Sequence, residues 1–286
     1  MLGAAPTTDP TWARIKAGAV QAAKNTGVQV SYQALDLLST PAMSQAITTA
    51  IGSHPDGLIL PLTNCAEATA DLQAAFLVNT TVFAINTGSA CAATLGLPAY
   101  IGQVDYQAGL AAGRELITGG AKNVLCIVPD ATNQLDNDRC HGVSDALTKV
   151  HDHVQVVTVS PGDVSAGTQK MVALLNGDPT IDGLITADTN AATMAIPAVQ
   201  QLVRVSSFYL ASFDLSTPVL QAIARGTMRF AVDQQPYLQG YLAVTLLALY
   251  KKSLDTIVNP VISTGPTFVT SANVTQIEQL VAAGTH

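Results

Sequence analysis

Hydrogen-bonding side chains follow the apolar segments of this chain at the points where the predicted strands end. In the segment 230–235, "FAV" runs directly into Asp233, Gln234 and Gln235 before a proline opens the next helix. Side chains of these types donate or accept hydrogen bonds with polar ligands. Other strand ends carry Asn64, Asn86, Asp188 and Asp214, and Arg139 lies in the polar segment that follows a further strand. The pattern predicts a binding site rich in hydrogen-bonding groups.

Helix capping is a simpler explanation for any one of these residues. Asn and Asp are preferred N-cap residues, because their side chains accept a hydrogen bond from the first turn of a helix. The recurrence of polar strand ends in both halves of the chain favours a shared ligand site over capping alone. For each single residue, the sequence leaves both roles open.

The composition predicts an ordered globular protein and excludes several classes of partner. Hydrophobic residues make up 48% of the 286 residues and charged residues only 12%, which excludes a disordered chain. The 13 Lys and Arg residues are outnumbered by 20 Asp and Glu residues, and no basic run is present. We therefore expect neither nucleic acid nor an anionic membrane as a partner. The apolar segments are too short to cross a bilayer, and the opening residues show no signal-peptide pattern.

Short apolar segments alternate with longer amphipathic ones along nearly the whole chain. This alternation is typical of an α/β fold in which helices cover both faces of a parallel sheet. The length favours two lobes over one. Ligands of such folds bind beyond the carboxyl ends of the strands, where the polar residues lie. The predicted strands are 28–32, 57–62, 81–86, 123–129, 154–159, 182–187, 208–213 and 229–233, and the predicted helices are 13–25, 41–51, 66–78, 106–118, 134–150, 191–202 and 235–251.

The four cysteines, Cys65, Cys91, Cys126 and Cys140, lack the paired short spacing of a zinc site, so no metal is expected. Disulfides Cys65–Cys91 and Cys126–Cys140 are geometrically possible. Buried free thiols are the alternative, and the spacing leaves both open. The chain has no G-x-S-x-G, P-loop, G-x-G-x-x-G or H-E-x-x-H motif, so we predict neither an enzyme nor a cofactor.

In the order and spacing of its motifs, the chain resembles the sugar-binding branch of the type I periplasmic binding proteins, which are the ribose- and galactose-binding receptors of ABC importers. No single motif carries the resemblance, which covers essentially the whole chain. The motifs are "DPTWARIKAGAVQAA", "PDGLIL", "VFAINTG", "YIGQVDYQAGLAAGREL", "NQLDNDRCHGV", "ASFD" and "AVDQQPYLQGY".

The resemblance implies two doubly wound parallel-sheet lobes that are joined by a three-segment hinge and close on a ligand in the cleft between them. The expected N-terminal lobe is 1–103 plus 236–262, and the expected C-terminal lobe is 104–235 plus 263–286. The resemblance also implies a monomer located in the periplasm or outside the cell.

The resemblance assigns ligand contacts residue by residue. Asp9 and Trp12 match a polar group and an aromatic ring that stacks on the sugar, although a core position is the alternative for Trp12. Arg139 matches the arginine of an Arg-x-x-Gly motif, whose planar guanidinium can donate to two adjacent hydroxyl groups. Thr63 or Asn64 would serve where Pro61 replaces a ligand asparagine of the family. The other matched positions are Asn86, Asp188, Asp214 and Gln234.

Charge narrows the expected ligand class. Three candidate carboxylates, Asp9, Asp188 and Asp214, accompany one candidate cation, Arg139, and this balance disfavours an anionic ligand in a desolvated site. We therefore predict that the protein captures a neutral monosaccharide or polyol, and the resemblance implies that it delivers this ligand to an ABC transporter permease. The alternative is a sugar-sensing domain of a regulator or chemosensory receptor. No helix-turn-helix precedes Thr8, which argues against a repressor.

Overall fold

The computed structural model describes residues 1–35, 39–62, 65–160, 162–202 and 207–286. The chain divides into two compact units. Unit 1 comprises Met1–Gln103, Gln235–Thr264 and Leu280–His286, and unit 2 comprises Val104–Gln234 and Gly265–Gln279. This division places Gln235, 263–264 and 280–286 in unit 1, whereas the resemblance implied that they belong to the C-terminal lobe. Within these ranges, no helix is both long enough and apolar enough to span a membrane.

Strands and helices alternate along the chain, as the apolar pattern predicts. The strands are β1 (Leu2–Gly3), β2 (Gln33–Ala34), β3 (Gly57–Leu60), β4 (Thr81–Asn86), β5 (Ala99–Gly102), β6 (Asn123–Val128), β7 (His153–Thr158), β8 (Gly183–Thr186), β9 (Tyr209–Phe213), β10 (Phe230–Asp233), β11 (Val261–Ser263) and β12 (Thr267–Thr270). The helices are α1 (Pro10–Thr26), α2 (Thr40–Gly52), α3 (Cys65–Leu77), α4 (Ser89–Thr94), α5 (Asp105–Thr118), α6 (Gln134–Thr148), α7 (Val164–Gly177), α8 (Thr189–Gln200), α9 (Thr217–Ala224), α10 (Pro236–Lys252) and α11 (Val274–Ala282).

Unit 1 contains a parallel sheet in the order β11-β5-β4-β3 and a separate parallel pair, β1-β2. Helices α1 and α10 pack closely, because Gly18 leaves room for the backbone of α10 and Gly240 leaves room for the backbone of α1. Ile15, Phe83 and Val244 belong to the core between these helices and the sheet.

Unit 2 contains a sheet in the order β12-β10-β9-β8-β6-β7, in which β12 alone runs antiparallel to its neighbour among the described strands. Strands β6, β8, β9 and β10 are almost entirely buried. Burial on both faces explains why these strands read as continuous apolar runs without alternation. The α/β fold class with two parallel-sheet units is confirmed.

The structure differs from the sequence prediction in several elements, of which the longest is the unpredicted helix α7 with 14 residues. The predicted strand at 28–32 is absent from the described residues, and β2 instead pairs at only two positions, Gln33 with Leu2 and Ala34 with Gly3. Strands β5, β11 and β12 and helices α4, α7, α9 and α11 were not predicted. The three strands are only three or four residues long, and so short a segment carries little periodicity.

Both cysteine pairs form disulfides, which resolves the alternatives that the spacing left open. Cys65 is bonded to Cys91 with a Cα–Cα distance of 5.0 Å, and Cys126 is bonded to Cys140 with a Cα–Cα distance of 5.8 Å. The second bond ties α6 to the middle of β6. Disulfides of this kind persist in oxidising compartments.

Candidate functional site

Arg139 is the central residue of the candidate site in unit 2. Its side chain on α6 is completely buried. Nε donates to Asp105 Oδ1 at 2.9 Å, and Nη1 donates at 2.7 Å to both Asp214 Oδ2 and the Ala187 carbonyl oxygen. Burial opposes the charge of the guanidinium, but the nearby carboxyl groups of Asp214, Asp105 and Asp136 outweigh burial and raise the pKa of Arg139. Arg139 is therefore a fixed cation.

The Nη2 atom of Arg139 is a buried donor that has no hydrogen-bond partner among the described residues. Buried polar groups are paired in the great majority of cases, and an unsatisfied buried group costs about 1–3 kcal/mol or more when it is charged. An acceptor oxygen supplied by a ligand would satisfy this donor. Nε and Nη1 of the guanidinium are thus committed to the protein, and Nη2 is available for recognition.

Three strand ends meet at this arginine. Ala187 directly follows β8, Asp214 follows β9, and Gln234 follows β10. Gln234 Nε2 donates to Asp214 Oδ1 at 2.6 Å, so each oxygen of Asp214 accepts a hydrogen bond. Asp214 has a φ of 65°, a left-handed conformation that Asp and Asn adopt more readily than most residues. The guanidinium carbon also lies 4.9 Å from the centroid of the Phe213 ring, within cation–π range.

Close packing of α5 against α6 positions the backbone that carries Arg139. A Cβ atom at Gly109 on α5 would overlap the Arg139 carbonyl oxygen, and a Cβ atom at Gly142 on α6 would overlap the backbone of α5. The Arg-x-x-Gly pattern therefore couples a buried cation to a glycine that lets its helix approach a neighbouring helix.

Asp136 lies one helical turn before Arg139, and its side chain is only 1% exposed. Its Oδ2 accepts a hydrogen bond from Asn133 Nδ2 at 2.8 Å, whereas its Oδ1 is buried without a partner among the described residues. Burial raises the pKa of Asp136 to about 8; Arg139 opposes this shift, while Asp188, Asp214 and Asp105 add to it. A carboxyl group with this pKa is mostly protonated at pH 7.

Asp188 is the N-cap residue of α8, as the capping explanation of polar strand ends proposes. Its Oδ1 accepts from the backbone N–H of Ala191 at 2.8 Å, and its Oδ2 accepts from Asn190 Nδ2 at 2.8 Å. Burial raises the pKa of Asp188, and these two hydrogen bonds act in the opposite direction. Its carboxyl group interacts electrostatically with Asp214 and Arg139, so it is a neighbour of the cluster.

Two of the predicted contacts in unit 1 have clear structural roles. Asp9 is the N-cap residue of α1, and its Oδ1 accepts from the backbone N–H of Trp12 at 2.9 Å. Trp12 is 5% exposed and packs in a core cluster that includes Ile15 and Phe83. In unit 1, Asp9 therefore caps α1 and Trp12 packs in the core.

Asn86 ends β4 with a φ of 68°, the same left-handed conformation that Asp214 has at the end of β9. Its side chain is buried, and its Nδ2 donates to Gln239 Oε1 at 3.4 Å. The Tyr100 hydroxyl donates to the Asn86 carbonyl oxygen at 2.8 Å. Asn64 and the alternative Thr63 lie outside the described residues.

Of the eight predicted contacts, the structure links Arg139, Asp214 and Gln234 through hydrogen bonds. Two residues of this cluster were absent from the predicted set. Asp105 comes three residues after β5, so the rule applied to the other strand ends would have found it once β5 was recognised. Asp136 precedes Arg139 by three residues on the same helix, a spacing that places both on one helical face.

A separate concavity of about 810 Å³ lies in unit 1 near the amino end of β3. Its lining is mainly apolar and includes Val30, Leu58 and Leu247. No cluster of His, Cys, Asp and Glu suited to a metal ion occurs in the described part of the chain.

Comparisons with known proteins assign the chain to a family. The model of the periplasmic binding protein domain matches residues 4–253. A solved carbohydrate transporter from Acidothermus cellulolyticus 11B, in complex with myo-inositol, is 30% identical, with coverage of 100% of this chain and 98% of that chain and a TM-score of 0.87.

A more distant solved structure has the same fold. A solute-binding protein from Burkholderia graminis C4D1M, in complex with D-arabinose, is 20% identical over 96% of this chain and 95% of that chain, with a TM-score of 0.82. The xylose/arabinose-binding protein XylF of Sulfolobus acidocaldarius is 27% identical over 185 residues, which are 61% of this chain and 45% of that protein. The match thus spans less than half of this curated relative. The chain belongs to the periplasmic binding protein family, in its sugar-binding type I branch.

Proposed function

We propose that this protein captures a neutral monosaccharide or polyol and delivers it to the permease of an ABC importer. The observation that carries the proposal is the buried Arg139, which lies where three strand ends meet and forms ion pairs with Asp105 and Asp214. Its Nη2 has no hydrogen-bond partner among the described residues. The family to which the chain belongs consists of binding proteins, which supports a receptor over an enzyme.

The charge of the cluster supports a neutral ligand. Arg139 contributes one positive charge, whereas Asp105 and Asp214 contribute two negative charges at 2.9 and 2.7 Å from it. A sugar phosphate or sugar acid would add negative charge to a group of carboxylates in a poorly solvated site, which costs several kcal/mol. A neutral hydroxyl oxygen can accept from Nη2 of Arg139 without this cost, and charge-assisted bonds of this kind are strong.

The ligands of similar proteins guide the choice of compounds to test. Myo-inositol and D-arabinose, named for two of the solved structures above, are both neutral polyhydroxylated molecules. The two disulfides and the family membership support a location in the periplasm or outside the cell.

Isothermal titration calorimetry against myo-inositol, D-arabinose, D-xylose, D-glucose and D-galactose, with glucose 6-phosphate and glucuronic acid as anionic comparisons, tests the proposal. We expect at least one neutral compound to bind more tightly than both anions. Tighter binding of an anion than of every neutral compound would contradict the charge balance on which the proposal depends.

The variant Asp214→Asn tests whether the Arg139 cluster is the binding site. The charged carboxylate of Asp214 accepts hydrogen bonds from Arg139 and Gln234, and a neutral amide would weaken the bonds that position Arg139. Hydrogen bonds to charged groups are worth about 1.5–3 kcal/mol, so we expect the affinity for the sugar to fall by roughly 10- to 100-fold. Asp182→Asn is the matched control, because Asp182 accepts from the backbone N–H groups of Lys122 and Asn123 at the opposite ends of the strands. Equal losses of affinity in both variants would show that the effect of Asp214→Asn is not local.

A further inference from the structure

The carboxyl group of Asp136 has one bonded oxygen and one oxygen without a partner among the described residues. Asn133 fixes this asymmetry. Its Oδ1 accepts from the backbone N–H of Leu135 at 3.1 Å, so its Nδ2 is the group that donates to Asp136 Oδ2 at 2.8 Å. In a neutral carboxyl group the carbonyl oxygen is the stronger acceptor, so Oδ2 takes this role in the protonated form of Asp136. The proton of that form then resides on Oδ1, which is a buried donor.

The charged groups that act on Asp136 come from several elements. Arg139 lies on the same helix, Asp105 begins α5, Asp188 caps α8, and Asp214 follows β9. The guanidinium favours the ionised form of Asp136, whereas the three carboxyl groups oppose it. Both carboxylates that bond Arg139 offset its charge, and Asp136 forms no ion pair with it in the described structure. The cluster thus keeps Asp136 protonated without a direct partner.

A second buried donor lies on the same helix face. Nη2 of Arg139 also has no acceptor among the described residues, and Arg139 and Asp136 are 0% and 1% exposed. Arg139 Nη2 and the protonated Oδ1 of Asp136 are thus two donors, from residues one helical turn apart, without acceptors among the described residues. A sugar hydroxyl or ring oxygen has the lone pairs to accept from them. An ionised Asp136 would instead present an acceptor and a negative charge to the same ligand oxygen.

We propose that Asp136 binds the ligand as a neutral carboxylic acid, with its Oδ1–H donating to a sugar oxygen beside Arg139, so that affinity falls in alkaline solution. This inference rests on the proposed capture of a neutral sugar or polyol. It adds a contact and a pH dependence that the predicted set of ligand residues lacks. Because only the protonated form binds, the apparent affinity scales with the protonated fraction.

The test is calorimetry of the wild-type protein at pH 6, 7, 8 and 9, with the neutral compound that binds most tightly in the panel above. With a pKa of about 8 for Asp136, the protonated fraction falls about tenfold between pH 7 and pH 9, and the affinity should fall by the same factor. The variant Asp136→Asn keeps a donor and an acceptor but does not titrate. Its affinity should change less than about twofold over this range.

Asp138→Asn is the matched control. Asp138 lies two residues further along α6, where it accepts from Gln134 Nε2 at 2.6 Å, and its variant should retain the tenfold loss. Equal pH dependence in Asp136→Asn and the wild type would overturn the inference, as would wild-type affinity that is constant from pH 7 to pH 9. Failure of every panel compound to bind at pH 7 would overturn the proposed function and this inference together. Binding without the pH dependence would overturn the inference alone.

Discussion

The protonation of Asp136 makes a quantitative prediction about folding stability. The perturbation is the variant Asp136→Asn, compared with the wild type as a function of pH. Asp136 is 1% exposed, its Oδ2 accepts from Asn133, and burial raises its pKa from 3.8 to about 8. Asparagine has nearly the same shape as the protonated acid and cannot ionise.

The direction in which stability changes with pH follows from proton binding in the folded and unfolded states. Between pH 4 and pH 8 the folded protein keeps the proton of Asp136 and the unfolded chain releases it, so the stability present below about pH 4 is lost as pH rises. Each pH unit in this window is worth about 1.4 kcal/mol. From pH 5 to pH 8 the wild type should therefore lose about 4 kcal/mol in free energy of unfolding relative to Asp136→Asn.

Urea denaturation at pH 5, 6, 7 and 8, followed by circular dichroism, measures this difference. Urea is preferable to guanidinium chloride because a salt would screen the charges of the cluster. Asp138→Asn, on the same helix, should follow the wild type at every pH. A difference between Asp136→Asn and the wild type that is constant across the range would show that Asp136 is ionised in the folded protein, which would refute the reasoning.

Two further predictions concern the framework around Arg139. Replacing Cys126 and Cys140 together by alanine should lower the free energy of unfolding by about 3 kcal/mol, because the disulfide closes a loop of about 15 residues in the unfolded chain. Urea denaturation of the oxidised wild type and the double variant measures this difference in free energy, and equal stabilities would contradict the prediction. Gly142→Ala should destabilise the folded protein by about 1–3 kcal/mol, and so lower its melting temperature, because the added Cβ overlaps the backbone of α5. Gly177→Ala is the control, because its Cβ meets no atom within 4 Å, and it should change the melting temperature little. Equal shifts in melting temperature for the two variants would contradict the packing explanation.

The sequence by itself determined the fold class and the positions of most long elements, although it did not predict the 14-residue helix α7. The buried strands β4, β6 and β9 read as apolar runs that end in polar residues, because a parallel sheet covered on both faces leaves only its strand ends able to meet a ligand. The same rule predicts Asp214 as a ligand contact, and the Arg-x-x-Gly motif predicts Arg139. The strand at 28–32 was predicted wrongly, since pairing with a distant segment, and not local pattern, decides where a short strand forms.

Only the tertiary structure decided what each polar residue does. Asp9, Asp188 and Asp214 look alike in the sequence, yet Asp9 and Asp188 cap helices and Asp214 bonds Arg139 and Gln234. The charge state of Asp136 likewise depends on burial and on carboxyl groups from three other elements. The physical reason is that desolvation and Coulomb interactions act through space, over distances that residue order along the chain does not fix.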